Sequence, residues 1–373
     1  MRRGLAIAVW LFAAQAALAT GVETTVGRFA EATNASERRL MDDAADGRLD
    51  EFSPLAAALV ASGVADDDTL LSYQQKAAAL ANQLHRRIDP AAAPRQQVEA
   101  VFQFMHQQVL RGGYDLAATD LREVLDRGRY NCISATVLFN HLTGECGLDC
   151  RALEMPSHAM SRVRLIDGPV DVEMTCPRWF LMTEAEKSHG PAVSPTTIAT
   201  AAAPDRSKAR EVTAIQVAAM IYYNRGVELL AEKRFAQAAA ANAKSLRLDP
   251  SNTLARGNLL ATLNNWSIEA GKQGRYAEAI RLLRQGLAMD AHFGPLVQNY
   301  VHTHRQWASD LCRNGRYDEA MDVLDLALAE MPSDGLRQTQ VTLQQQVAKH
   351  ATQSIRAAGM SQVPCTSGND AVD

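Results

Sequence analysis

The residues best suited to chemistry fall in three short segments: RYNCISATVLFN around Cys132, MPSHAM around His158 and VDVEMT from Val170. A thiol reacts as its thiolate, and a free cysteine with a pKa of about 8.5 is mostly protonated at neutral pH. Asn131 is a good N-cap, so Cys132 is expected in the first turn of a helix. There the unpaired amides and the helix dipole favour an anion. His158 stands where the chain enters a strand and has the type of a general base. Glu173 on the next strand has the type that orients such a base, and Asp171 is the alternative acid. Each residue also has an ordinary reading: a buried structural cysteine, a satisfied histidine, and carboxylates paired with Arg162 or Arg164. The order thiol, imidazole, acid favours the chemical reading over these.

Geometry sets a condition. On a strand, alternate residues share a face, so Val170, Val172 and Met174 face one way and Asp171 and Glu173 the other. A tight turn at Asp167-Gly168 would set Glu173 opposite Arg162, too far along the strand from His158. The triad closes only if the pairing slips through a wider loop or a bulge, and that slip is expected. The Cys132 N–H is a natural donor to a developing oxyanion. Tyr114 or Tyr130 could give a second, with no spacing to choose between them. Trp179 and Tyr130 are candidates for the cleft, and Trp179 fits a plain core position as well.

The elements that must hold these groups follow from pattern. Leu70 to Ile88 has helical apolar spacing and stops at Asp89-Pro90. Pro94 opens another helix with Val98, Val101, Phe102, Met105 and Val109 as its stripe, closed by Gly112-Gly113. Asp120 caps a short helix that ends at Gly128. The Cys132 helix is apolar over most of its circumference, so it is expected to be buried, ending at Gly144. CRALEM, HAMSRVRLI and VDVEM read as strands. A buried helix on a small antiparallel sheet is an α+β arrangement. Residues 190–212, rich in Pro and lacking aromatics to Asp205, read as a linker.

Beyond it KRFAQA, GRYAEA and GRYDEA begin at Lys233, Gly274 and Gly315, a period of 41 residues. Phe235, Tyr276 and Tyr317 recur at that interval, as do Ala238, Ala279 and Ala320.

Two resemblances carry the reading further. YNCISATVLFN, Ser-His-Ala and Glu-Met-Thr resemble the transglutaminase-like domain, a papain-like fold with a Cys-His-Asp triad. The resemblance implies Cys132 as nucleophile, His158 as base and Glu173 in the Asp place, one methylene longer than the family's acid. The 41-residue units resemble the 34-residue tetratricopeptide repeat, with Gly226, Ala238 and Pro250 at its Gly, Ala and Pro places. The excess is expected to lengthen the first helix of the second and third units. The expected order is a signal peptide (1–19), a helical region (20–94), a papain-like/transglutaminase-like domain (95–189), the linker, three tetratricopeptide units (213–335), a capping helix (336–360) and a disordered tail (361–373).

Bulk properties limit the function classes. Net charge is −4 with no basic run, which disfavours nucleic acid as a partner. Arg2-Arg3, an apolar stretch and Ala17-Leu18-Ala19 read as a secretory signal cleaved near Ala19, giving a periplasmic or extracellular protein. No later segment has the roughly 18 apolar residues of a membrane helix. Export permits a bridge between two of Cys146, Cys150 and Cys176. The spacings 14, 4 and 26 along Cys132, Cys146, Cys150 and Cys176 match no common zinc pattern.

The expected function is a thiol-dependent amide or peptide hydrolase or acyltransferase without a metal or organic cofactor. Its repeats would recruit a peptide or protein. The alternative is a non-catalytic scaffold whose functional part is the array, with Asn224, Asn258, Asn265 and Arg305 as candidate contacts.

Overall fold

In the computed structural model, residues 23–156, 158–188 and 209–360 are described. The expected signal peptide, Ser157, most of the expected linker, the expected tail and Cys365 lie outside them. One compact unit spans Glu23–Thr262 and a second begins at Leu263.

The first unit is built around one helix. After a helical stretch at 23–29 the described residues form α1 (Ala35–Asp43), α2 (Pro54–Ala61), α3 (Asp67–His85) and α4 (Pro94–Phe104). The side chains of Asn34, Ser53 and Asp66 cap the first three. A wide helical turn, Met105–Val109, continues α4, and its last bond runs from Leu110 N to Met105 O at 2.8 Å. It redirects the chain into β1 (Gly113–Tyr114), which pairs in parallel with β2 (Arg129–Tyr130) across α5 (Leu121–Arg127).

Then comes α6 (Cys132–Glu145), which runs through Gly144 instead of ending there. As its composition suggests, α6 is covered on several sides. Leu138, Phe139 and Leu142 join a core with Leu84, Val98, Met105, Leu153 and Val163. Ile133 and Val137 join a second core with Leu55, Leu59, Ile221 and Tyr222. Each such side chain, fully buried, stabilises by about 1.5–3 kcal/mol.

The sheet has the order β5-β4-β3-β6, formed by β3 (Asp149–Met155), β4 (His158–Arg164), β5 (Val170–Val172) and β6 (Arg210–Val212), with every neighbour antiparallel. Arg151 and Arg162 stand directly opposite each other on β3 and β4, a repulsive placement. Asp149 pairs with Arg151, and Asp171 and Glu211 pair with Arg162.

The strand β6 corrects the expected linker. Its last residues lie in the sheet, where Ala152 pairs with Val212 and Glu154 with Arg210. The expected boundary at residue 95 also fails, because Ala81 and Leu84 of α3 share a core with Val98 and Val101 of α4. Apolar packing runs across the helix break at Asp89-Pro90 and Pro94, so that break does not divide domains. The helices α7 (Ala214–Ala231) and α8 (Phe235–Leu248) belong to this unit too, and α2 packs on α7. Gly226 lets α8 approach: a Cβ there would lie 2.3 Å from the Asn242 side chain. A buried Lys244–Glu37 pair at 2.6 Å, with Tyr222 donating to Glu37 at 3.0 Å, ties α8 and α7 to α1.

The unit boundary falls within α9 (Thr253–Lys272). After it come α10 (Tyr276–Met289), α11 (Gly294–Arg313), α12 (Tyr317–Glu330) and α13 (Asp334–Met360). The second helices α8, α10 and α12 are 14 residues each and start at Phe235, Tyr276 and Tyr317, at the interval read from the sequence. The helices that precede them are longer, 18 residues in α7 and 20 in α9 and α11.

Candidate active site

Cys132 is the first residue of α6, and its position is fixed by the cap before it. The Asn131 side chain accepts from the N–H groups of Ile133 and Ser134, both at 3.0 Å, while Ser134 Oγ accepts from Asn131 N at 3.0 Å. Asn131 in turn donates to Thr119 Oγ1 at 2.8 Å and to the Leu116 carbonyl at 3.2 Å, and Ser134 donates to the Ala118 carbonyl at 2.8 Å. Helix start and preceding loop are thus locked together. The cap leaves the Cys132 N–H without an acceptor among the described residues. Cys132 is half-buried.

His158 opens β4 directly after a short hairpin, with its pairing partner Met155 closing β3. Its Nε2 bonds to Glu173 Oε2, and the ring is near enough to the Cys132 side chain to be influenced by it. Because Nε2 is taken, Nδ1 is the nitrogen available to the thiol. The other Glu173 oxygen accepts from Thr175 N at 2.8 Å and from Thr175 Oγ1 at 2.6 Å. Both carboxylate oxygens are therefore engaged, and the Glu173 side chain is only 2% exposed.

The slip in register is present. Arg162 pairs with Asp171 and Ser161 with Val172, so the strand is offset from the tight-turn register. The connecting loop spans residues 165–169, wider than two residues. Strict alternation also ends early. β5 stops at Val172, which frees Glu173 to turn inward while Asp171 stays on the outer face.

Burial opposes a charge on the His158 ring. The interactions with Cys132 and Glu173 override it, and they push the pKa up to about 10. The ring therefore holds its proton at neutral pH, which is the partner a thiolate needs. Chemically, the arrangement can present a sulfur nucleophile, a proton carrier and a buried acid that fixes the carrier's tautomer.

The remaining candidates fall elsewhere. Asp171 is held by Arg162 through two bonds, 2.7 and 2.9 Å, and is not brought to His158. Trp179 does not wall a cleft: it is 1% exposed, and its indole donates to the Asp171 carbonyl at 2.8 Å. Tyr130 is buried as well, so it lies beneath the site instead of facing a substrate. The bridge allowed among Cys146, Cys150 and Cys176 is not formed. All three are free thiols, and Cys150 donates to Asn140 at 2.9 Å.

Thr175, absent from the candidates above, anchors Glu173, and its place two residues further on is the only signal of that role in the sequence. A cavity of about 550 Å³ along the other end of α6, lined by Asn140, His141 and Cys150, includes none of the three central residues. Among the described residues, no group of His, Cys, Asp and Glu is placed to hold a metal ion.

Residues 71–212 match the family model of the transglutaminase-like superfamily. The chain carries a transglutaminase-like domain. Its span starts within α3 and ends at Val212, the last residue of β6, in keeping with the shared core and the four-stranded sheet. No curated protein and no solved structure matches the chain.

Proposed function

We propose that the transglutaminase-like domain is a thiol-dependent amide or peptide hydrolase or acyltransferase with the triad Cys132, His158 and Glu173. The observation that carries this reading is the His158 ring bonded to the buried, doubly anchored Glu173 while under the influence of the Cys132 side chain at the start of α6. The Cys132 sulfur attacks the amide carbonyl carbon, forming a C–S bond as the carbonyl electron pair moves to oxygen. The C–N bond then breaks, and the imidazolium gives its proton to the departing amine, leaving a thioester. Water or a second amine attacks the thioester, its proton passes to His158, and the sulfur is released. Glu173 holds the ring in register throughout.

The helices from α7 to α12 are read as three tetratricopeptide units that recruit a peptide or protein partner. The 41-residue recurrence and equal second helices support this. The N-terminal charged and apolar stretch supports export to the periplasm or beyond, with cleavage near Ala19. Among the described residues, no helix is long and apolar enough to cross a membrane.

The test is labelling by a fluorescent iodoacetamide at limiting reagent, compared with Cys132→Ala, together with release of nitroaniline from peptide p-nitroanilides. Labelling concentrated on Cys132 and turnover lost with it support the proposal. Equal labelling of the two proteins would sink it.

A scaffold reading has one observation in its favour. In the second unit a cavity of about 570 Å³ between α11 and α13 is lined by Arg305, Arg313 and Lys349 with Gln338 and Gln346, and by no carboxylate. It suits an acidic peptide, whether or not the domain before it is active. Asn258, another expected contact, instead donates to Asn242 at 3.0 Å.

A further inference from the structure

Tyr114 and Tyr130 lie on the two short strands before Cys132, and the fold treats them differently. Gly112 N donates to the Gly128 carbonyl at 3.0 Å where the chain crosses itself. A Cβ on Gly112 would lie 2.3 Å from the Arg127 carbonyl, and one on Gly128, where φ is +67°, 2.2 Å from the Val109 carbonyl. Only two glycines permit so close a crossing. It sets Tyr114 directly opposite Tyr130 in the parallel ladder, with Asp115 N donating to the Tyr130 carbonyl at 2.8 Å. The rings meet edge-on, 5.9 Å apart at 79°.

Tyr130 is buried and its phenol senses Glu173 and Cys176. Tyr114 is 38% exposed, and its phenol senses Cys132 and Glu173. The neighbouring Leu116 is also exposed although its carbonyl is bonded to Asn131, so this rim is rigid and open.

We propose that Tyr114 is a catalytic residue. Its phenol O–H and the Cys132 N–H together donate to the substrate's acyl oxygen as that oxygen becomes an oxyanion. The inference rests on the reading of Cys132 as nucleophile. Tyr114 keeps its proton and gives only a hydrogen bond, while the C–S bond forms and the carbonyl pair moves to oxygen. Neither donor has a protein acceptor among the described residues, so neither must break a bond to serve. Both sit on backbone locked to the α6 cap, the preorganisation that such stabilisation requires. Burial, and then the charges of Cys132 and Glu173, hold the phenol above its ordinary range, which keeps it a donor in alkaline solution.

The test separates carbonyl chemistry from simple thiol reactivity. Cys132 is acylated by p-nitrophenyl acetate in single turnover and, separately, alkylated by iodoacetamide, which reacts at a saturated carbon and makes no oxyanion. Tyr114→Phe is expected to slow acylation by about 10- to 100-fold and to leave alkylation within about twofold, which also shows that the site is folded. Tyr114→Leu should match Tyr114→Phe, since only the hydroxyl is at issue.

Acylation of Tyr114→Phe within about threefold of the parent would overturn the role of Tyr114 alone. An equal loss in both reactions would make Tyr114 merely structural and overturn it too. If the parent reacts with neither reagent faster than Cys132→Ala, the nucleophile reading falls and takes this inference with it.

Discussion

Glu173→Gln tests the centre of the reasoning. The substitution keeps shape, and the amide oxygen can still accept from Thr175 N and Oγ1, so the side chain should stay in place. What is lost is the negative charge and the charge-assisted bond to His158 Nε2. A hydrogen bond to a charged group contributes about 1.5–3 kcal/mol, and about 1.4 kcal/mol corresponds to one pH unit in an ionisation. Removing the carboxylate leaves burial, which disfavours the charged ring, with less to oppose it. The ring's titration midpoint should therefore fall from about 10 by roughly 1 to 2 on the pH scale. Histidine-selective 15N NMR across pH 6–11 reads the midpoint directly. Asp171→Asn should leave it unchanged, because Arg162 holds that carboxylate apart. A midpoint unmoved by Glu173→Gln, or moved instead by Asp171→Asn, would refute the assignment of the acid.

Thr175→Val removes one of the two anchors on Glu173 while keeping the backbone N–H. Acylation of Cys132 should slow by about three- to tenfold, the value of one ordinary hydrogen bond, with circular dichroism unchanged. His158 also links stability to pH. Its folded pKa of about 10 lies above the unfolded value of 6.5, so its contribution is full below 6.5 and lost as pH rises through 10. The difference in unfolding free energy between the parent and His158→Gln should accordingly be largest near pH 6 and shrink steadily toward pH 10 in urea titrations. Far from the site, Lys244→Met strands the buried Glu37 carboxylate and should cost about 3–5 kcal/mol. Adding Glu37→Gln should restore most of that loss; a single-variant cost below about 1 kcal/mol would remove the pair's structural importance.

Much of the site was legible because its grammar is local. The Asn131 cap, the Cys132 helix and the hairpin after Met155 are written in adjacent residues, and the need for a slipped register followed from counting along two strands. Other features depend on distant partners. Arg210–Val212 looks like the end of a polar, Pro-rich stretch, and only the open edge of β3 makes it a strand. Tyr114 and Tyr130 could not be ranked from sequence because the distinction arises at the Gly112–Gly128 crossing, where two separated segments touch. Trp179 has the composition of a cleft wall, yet an indole bond to a backbone carbonyl draws it inside. The expected limits near 95 and 212 differ from the structure for a related reason: Ala81 and Leu84 pack with Val98 and Val101 across the first, and Arg210–Val212 pair with a distant strand before the second.

The late arrival of β6 constrains how this protein can be shortened. A fragment ending at Ser188 would keep Cys132, His158 and Glu173, yet the backbone N–H and C=O groups of Ala152, Leu153 and Glu154 would lose their outer ladder. Bare edges of that kind recruit strands from other molecules. Such a fragment should therefore precipitate or pair with its own copies, whereas one ending beyond Val212 carries its own edge cover.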